Sequence, residues 1–218
     1  MELNVFVMAW EYTIVKYGVL LSALGEQFYL VFLASILTTG IGLPLGIMLT
    51  RMPSIRTIIL KIAGTLYTIP VLAMFGLLIP VFGIGNKSAL IALTIYGILP
   101  ILHNTYTGIL EVSPAAKEAA RGLGVSNWQM LTRVELPLAL PFIIAGVRTS
   151  IVLNISLATY VVFIGAGGLG TIIVQGMRTF HGGMLLAGTL LVALTTILSE
   201  RILGIFEKKV SRAMRGDQ

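Results

Sequence analysis

Five long apolar runs dominate the sequence and constrain the fold more than any other feature. A helix of about 20 apolar residues crosses the hydrocarbon core of a bilayer. An open strand in lipid would leave backbone polar groups unpaired, so each run is predicted to be helical. Only 11% of the residues are charged, which is far below the level of a soluble domain. The sequence therefore predicts an all-α membrane protein with five transmembrane helices. The runs are approximately Phe28–Thr50, Ile58–Phe82, Ser88–Leu110, Leu138–Ile164 and Met184–Phe206.

The distribution of basic residues predicts how the chain is oriented. An odd number of spans places the two termini on opposite sides of the membrane. All but three of the 15 Lys and Arg residues fall on one side, and the exceptions are Lys16, Lys87 and Arg178. By the positive-inside rule, the N-terminus is predicted to be outside, and residues 111–137 and the C-terminus are predicted to be cytoplasmic. This topology accounts for the basic pI without a nucleic-acid partner.

The two ends of the chain differ in composition from the spans. Glu11 and Lys16 interrupt the apolar character of residues 1–27, where Trp10, Tyr12 and Tyr17 are interleaved. This pattern predicts a helix lying at the extracytoplasmic membrane surface, with an additional transmembrane span as the alternative. Residues 28–210 are predicted to form the transmembrane domain. Residues 211–218 form a basic cytoplasmic tail that is expected to lie against anionic headgroups.

A polar segment, residues 111–137, separates the third and fourth apolar runs and reads EVSPAAKEAARGLGVSNWQMLTRVELP. Its local signals predict two short helices. Ser113 is a candidate N-cap for the first helix, and Pro114 suits the first helical position, where its missing N–H is not needed. Gly122 and Gly124 offer left-handed positions that end this helix.

The second short helix has its own boundary signals. Ser126 and Gln129 have the spacing of a capping box. Pro137 is predicted to end this helix, because proline cannot continue the hydrogen-bond ladder. Two short helices joined by glycines, charged on one side and apolar on the other, suit contact with a soluble partner.

This segment resembles the EAA loop of ABC-importer permeases. The resemblance rests on Glu118-Ala119-Ala120, Gly124 and Leu136-Pro137 at the family's spacing, with Val134 where the family usually has isoleucine. It implies a coupling helix that docks onto a separate ATP-hydrolysing subunit. An ordinary amphipathic pair of interfacial helices is the alternative. The residues that the resemblance assigns to coupling are Glu118, Ala119, Ala120, Gly124, Leu136 and Pro137.

Three further stretches are similar to the permeases of osmoprotectant importers, which take up glycine betaine, carnitine or choline. They read TIP…IPVFGIG, LPILHNTYTGILEVSPAAKE and IGAGGLG. The resemblance implies a type I ABC-importer permease fold in a bacterial cytoplasmic (inner) membrane. It also implies two ATPase subunits that bind ATP and Mg²⁺, a second permease subunit, identical or paralogous, and a separate extracytoplasmic solute-binding protein. No cofactor is expected on this chain. Permeases of methionine importers are the nearest alternative.

Polar and flexible residues inside the spans are candidates for the translocation path. Pro70 removes a helical hydrogen bond at mid-membrane and is predicted to kink the second span next to Tyr67. A gate and simple packing both fit that kink. Asn154 lies near mid-depth, where a polar side chain is costly unless it is paired or meets water. The full set of candidates is Tyr67, Pro70, Tyr96, Asn104, Asn154 and Tyr160.

The sequence indicates that this chain is not an enzyme by itself. It has no P-loop motif, and its only Asp is Asp217. His103 and His181 are predicted to lie on opposite sides of the membrane, so no catalytic triad can form. The run from Gly165 to Gly170 fits G-x-G-x-x-G, but a membrane helix precedes it. It is predicted to turn the chain into an outer helix, 171–178. An ATP-independent channel or carrier and a structural scaffold are further alternatives, although the one acid in the five runs, Glu200, is predicted to lie where the last helix leaves the membrane and not at a site of ion coupling.

Overall fold

The computed structural model describes residues 2–215, and their side chains over residues 4–212. The described chain is helical almost throughout. Its first five helices are α1 (Glu2–Val15), α2 (Tyr17–Arg51), α3 (Pro53–Thr68), α4 (Val71–Phe82) and α5 (Asn86–Leu110). Two short helices follow, α6 (Pro114–Gly122) and α7 (Asn127–Gln129), then a π-helical turn, Met130–Glu135, and α8 (Leu136–Leu157). The chain continues through a 3₁₀ turn, Val161–Ile164, to α9 (Leu169–Arg178) and α10 (Gly182–Arg215).

The number of spans agrees with the prediction from the apolar runs. Four helical segments, Tyr17–Arg51, Asn86–Leu110, Asn127–Leu157 and Gly182–Arg212, are long and apolar enough to cross a membrane. The bent pair α3–α4 makes a fifth when its halves are taken as one span. α2 begins at Tyr17 and crosses the predicted boundary at residues 27 and 28 without a break. α10 likewise runs into the predicted tail, and residues 216–218 of that tail lie outside the described part.

Helices α2, α5 and α8 form the centre of the bundle, and small residues let them approach closely. A Cβ atom added at Gly46 of α2 would lie 2.9 Å from the carbonyl oxygen of Leu102 and 2.7 Å from the Cβ of Thr105 in α5. At Gly42, one turn earlier, an added Cβ would lie 3.1 Å from the Cβ of Ile101. Small residues spaced in this way are the usual means of bringing membrane helices into backbone contact.

The second span breaks completely at Pro70, which corrects the prediction of a kinked continuous helix. α3 ends at Thr68, α4 begins at Val71, and the two axes differ by 102°. Ile69 adopts an extended conformation, with φ −64° and ψ 128°. A residue that precedes proline is pushed out of the helical region by the proline ring. The constraint on Ile69 and the missing N–H of Pro70 together explain a break instead of a bend.

The fourth span also differs from its apolar run. Helix α8 ends at Leu157, and the stretch up to Ile164 is completed by the 3₁₀ turn. The glycine run that follows turns the chain as predicted, with φ +73° at Gly165 and +108° at Gly168. The outer helix α9 starts at Leu169, two positions before the predicted start, and ends at Arg178 as predicted.

Candidate functional site

Gly124 ends the first helix of the 111–137 segment in a left-handed conformation, as the sequence predicts. Its φ is +75°. The N–H of Gly124 donates to the carbonyl of Arg121 at 2.9 Å, and the N–H of Val125 donates to the carbonyl of Ala120 at 3.4 Å. This pair of bonds is a Schellman motif, which satisfies the last carbonyls of a helix. The direction in which the chain leaves α6 is therefore set by one glycine.

The other boundary signals of this segment have mixed outcomes. The capping box is confirmed, since the Ser126 N–H donates to Gln129 Oε1 at 2.8 Å and the Gln129 N–H donates to Ser126 Oγ at 3.3 Å. Pro114 occupies the first turn of α6 as predicted, but the Ser113 side chain makes no capping hydrogen bond. The prediction for Gly122 was wrong, because this residue has helical geometry within α6.

Pro137 does not end the second short helix, which corrects the prediction. The chain passes from α7 through the π-helical turn into α8, and Pro137 lies in the first turn of α8. The N–H of Leu136 donates to the carbonyl of Leu131, five residues earlier. A proline at 137 lacks the N–H for an α-helical bond and clashes with the carbonyl four residues earlier. A wider turn immediately before it relieves both problems.

The tip of the segment exposes large apolar side chains next to charged ones. Leu123 is 85% exposed and Trp128 is 71% exposed. Glu118 and Ala119 are also exposed, whereas Ala120 is buried. Two bulky apolar groups displayed in this way outside the apolar spans form a surface suited to a protein partner.

The break in the second span brings two of the predicted path residues together. The phenol of Tyr96 donates a hydrogen bond to the carbonyl oxygen of Ile69 at the break. The rings of Tyr67 and Tyr96 meet edge to face, with centroids 6.2 Å apart. The Leu66 carbonyl, which Pro70 leaves without its α-helical donor, accepts from the Ile69 N–H at 3.3 Å, and the Ile69 carbonyl is satisfied by α5. Tyr67 is partly exposed and Tyr96 is buried.

Asn154 lies inside the bundle and contacts helices of its own chain. A Cβ atom at Gly97 of α5 would lie 3.0 Å from Asn154 Nδ2, 2.6 Å from Ser150 Oγ and 2.5 Å from Thr38 Cγ2. Asn154, Ser150 and Thr38 are fully buried. Within residues 4–212, neither polar atom of the Asn154 side chain has a hydrogen-bond partner. Its role in the path stays a prediction, and its side chain lies where α2, α5 and α8 meet.

The remaining path candidates are spread along the molecule. Asn104 Nδ2 donates to the carbonyl of Pro100 at 2.8 Å, so one hydrogen bond of its side-chain amide is made within α5. Tyr160 follows α8 and is 43% exposed. The structure therefore groups Tyr67, Pro70 and Tyr96 and leaves Asn104 and Tyr160 apart from them.

Two side chains of α2 hold the glycine run, residues 165–170, by hydrogen bonds that the sequence did not indicate. Glu26 and Gln27 of α2 both receive hydrogen bonds from this run: the N–H of Gly168 donates to Glu26 Oε2 at 3.0 Å, and the N–H of Leu169 donates to Gln27 Oε1 at 3.1 Å. Gln27 Nε2 also donates to the carbonyl of Ile155 in α8 at 3.2 Å. These acceptors satisfy the first N–H groups of α9, which have no partner within the helix. One glutamine thus joins α2, α8 and α9.

We expect the substitution Gln27→Leu to lower the stability of the protein by about 1–3 kcal/mol, because it leaves a buried N–H and a buried carbonyl without their partner. Thermal unfolding of the detergent-purified protein measures this loss. The substitution Glu26→Gln is the matched control, since it keeps an acceptor for the Gly168 N–H on an exposed side chain. An equal loss in both variants would contradict the special role of Gln27.

Comparison with known proteins assigns this arrangement to a family. Residues 42–212 match the family described as "Binding-protein-dependent transport system inner membrane component". The match covers most of the chain, including the whole 111–137 segment. The chain belongs to this family. It is therefore an inner-membrane permease of ABC importers, and the family description refers to a transport system that depends on a binding protein.

Curated relatives cover nearly the same length. The chain is 38% identical over 194 residues to the glycine betaine/carnitine/choline transport system permease protein OpuCB of Bacillus subtilis, spanning 89% of each chain. It is 40% identical over 198 residues to the osmoprotectant import permease protein OsmW of Salmonella typhimurium, spanning 88% of this chain and 92% of the relative.

A solved structure shares the fold. A chain of the MetNI methionine ABC transporter in an inward-facing conformation superposes with a TM-score of 0.82 at 21% identity, over 89% of this chain and 97% of the other. The fold is therefore that of a type I ABC-importer permease, as the sequence predicts. At 21% identity, this similarity is evidence for the fold only.

The most deeply buried charge at the base of the segment is Glu135, which the sequence did not single out. Its side chain is 5% exposed and pairs with Arg51. A lone acid directly before Leu-Pro at the start of an apolar run is the signal that could have indicated it. An acid in a charged stretch usually lies in solvent, so the pattern alone favoured an exposed position.

Proposed function

We propose that this chain is the membrane-spanning subunit of an ATP-driven importer for osmoprotectants such as glycine betaine, carnitine or choline. The observation that carries the proposal is the 38–40% identity, over nearly nine tenths of the chain, to permeases named for these solutes. Hydrolysis of ATP belongs to a separate subunit, because the sequence contains no P-loop.

The coupling surface is the tip of the 111–137 segment. The exposed Leu123 and Trp128, beside the exposed Glu118 and Ala119, offer apolar and acidic contacts to a groove on an ATPase subunit. Gly124 fixes the direction of the chain behind this surface. Leu136 and Pro137 lie where the segment enters α8, so a displacement of the tip reaches a transmembrane helix directly.

The transport cycle is alternating access between two permease subunits, identical or paralogous. Two ATPase subunits bind the cytoplasmic segments, and closing of the ATPase pair turns the spans from inward-open to outward-open. A solute-binding protein delivers the solute at the outer surface. The distribution of Lys and Arg supports an N-terminus outside and a cytoplasmic C-terminus.

Aromatic side chains suit the proposed solutes. A quaternary ammonium group has no proton to donate, so it is recognised by the faces of aromatic rings. The partly exposed Tyr67 and Tyr160 offer such rings, and Tyr96 supports Tyr67 from behind by its edge-to-face contact. Selection by the binding protein alone is the other arrangement compatible with these positions.

Uptake by cells that express the assembled complex tests the proposal. We expect labelled glycine betaine, carnitine or choline to accumulate, methionine to remain at background, and accumulation to require an active ATPase subunit. Uptake of methionine alone would identify a methionine-type importer. Uptake that persists with an inactivated ATPase would identify a carrier or channel and refute the proposal.

A further inference from the structure

Glu135 is a buried acid at the point where three elements of the chain meet. It lies at the end of the π-helical turn, and its side chain is 5% exposed. Its Oε2 atom accepts a hydrogen bond from Arg51, the last residue of α2. Its Oε1 atom lies 3.9 Å from the Nζ of Lys117 in α6. One carboxylate thus has cationic neighbours from α2 and from α6, the first helix of the 111–137 segment.

Lys117 extends this network to α5. Its Nζ donates to the carbonyl oxygen of Ile109 at 3.0 Å, and α5 ends at Leu110. The last carbonyls of a helix have no donor within it, and a cation near that end is favourable to the helix dipole. Lys117 therefore holds α6 against the end of α5 as well as against Glu135.

Apolar packing surrounds the network and draws on the same elements. Ile109 and Val112 are buried together with Ala139 and Ile143 of α8. The partly buried residues around this cluster come from α2, the π-helical turn and the start of α8. They are Leu43, Ile47, Leu131 and Leu136. The contact between the segment and the bundle is therefore packed as well as ionic.

The π-helical turn gives Glu135 its inward direction. Met130 and Glu135 are five residues apart, and both are buried. An α-helix advances about 100° per residue, so two positions five apart would point in different directions. Bonding from residue i to i+5 brings them onto one face. The same turn is the one that Pro137 requires, so the proline and the buried acid are parts of one arrangement.

Burial of a carboxylate costs folding free energy, and this distinguishes the network from a surface ion pair. Exposed pairs contribute little to stability. A buried acid is costly to desolvate, and removing its cation leaves the charge unpaired. A network that connects α2, α5, α6 and the start of α8 at this cost is suited to holding these elements in one fixed relation.

We propose that Glu135 is a positioning residue that transmits displacement of α6 to α2 and α5. The proposal rests on the proposed coupling function and adds the connection by which the docked segment moves the bundle. With Glu135 paired to Arg51 and Lys117, a shift of α6 is expected to displace the ends of α2 and α5 as well. Without it, the short connection between α5 and α6 absorbs the motion, and ATP is consumed with less transport.

The test measures solute molecules moved per ATP hydrolysed, using the purified complex with its ATPase subunits and binding protein in proteoliposomes. We expect Glu135→Gln to lower this ratio by about tenfold, which lies within the coupling range of residues that touch neither ligand. ATP hydrolysis and co-purification of the ATPase should persist. Arg51→Gln leaves Lys117 as the remaining cation beside Glu135 and should also lower the ratio, and Arg51→Lys should restore most of it.

Glu207→Gln is the matched control. Glu207 lies 3.1 Å from Arg148, so the variant removes the charge of another Glu–Arg pair, in a contact between α8 and α10 that does not involve α6. We expect its ratio to equal that of the unaltered complex. A Glu135→Gln ratio that is unchanged, or uptake and hydrolysis that fall in parallel, would overturn the inference. If Glu135→Gln does not assemble, an unchanged ratio in Arg51→Gln overturns it. Absence of ATP-dependent uptake by the unaltered complex would instead refute the proposed function.

Discussion

Uptake by the assembled importer is expected to fall to background when Gly124 is replaced by valine. Gly124 has a φ of +75° and closes the Schellman motif at the end of α6. A non-glycine residue held in a sparsely populated backbone region costs about 1–3 kcal/mol, and a β-branched side chain is among the least compatible. We expect the chain around residue 124 to change direction, so that Leu123 and Trp128 no longer form one surface.

The neighbouring glycine provides a matched control for this prediction. A Cβ atom at Gly122 or at Gly124 would have no heavy atom within 4 Å, so neither position is restricted by space. Gly122 is helical, and Gly122→Val should therefore retain uptake. Membrane levels of both variants are measured by immunoblotting, and ATPase association by co-purification. Normal uptake by Gly124→Val would show that the left-handed turn is not needed for coupling.

The second large effect is expected at the centre of the bundle, where Gly97→Val should destabilise the folded protein. An added Cβ at Gly97 would lie within 3.0 Å of Thr38, Ser150 and Asn154, which come from both neighbouring helices. Overpacking of a filled core costs about 1–3 kcal/mol, and more where neighbours on two sides must move. We expect a lower thermal midpoint in detergent and a lower yield from membranes.

Gly40→Val on α2 is the control for this substitution. It adds the same side chain within a membrane span, but a Cβ atom at Gly40 would have no heavy atom within 4 Å. Its thermal midpoint should match that of the unaltered protein. An equal fall of the thermal midpoint in both variants would contradict this explanation, because close approach of α5 to α2 and α8 restricts only Gly97.

Sequence patterns predicted the elements of the fold well where the cause was local. The apolar runs, the Ser126–Gln129 capping box and the left-handed Gly124 each depend on residues close in the chain, and the structure confirms them. Pro70 shows the limit of this reasoning. The loss of one hydrogen bond predicts a kink, whereas the helix breaks, and the Ile69 carbonyl at the break accepts a hydrogen bond from Tyr96 of another helix.

The candidate site was predicted less completely, because it depends on contacts between distant parts of the chain. Polarity at mid-depth indicated Asn154 but could not tell which neighbours it would face, and these proved to be α2 and α5. Glu135 and Gln27 were missed for the same reason: their partners are 84 and 128 residues away. Only the folded chain shows that each of them joins several helices.

The tight crossing of α2 and α5 has a consequence for where the molecule can deform. With the Gly46 backbone against Leu102 and Thr105, the two helices have no room to slide or rotate past each other. The two helices are expected to move as one rigid body. The backbone at Ile69 and Pro70 is extended, and α3 has no buried residue, so this point is held to α5 by the Tyr96–Ile69 hydrogen bond and the Tyr67–Tyr96 ring contact instead of by close backbone packing. We therefore expect the hinge of this subunit to lie at Ile69 and Pro70, with α3 moving relative to the rigid pair of α2 and α5.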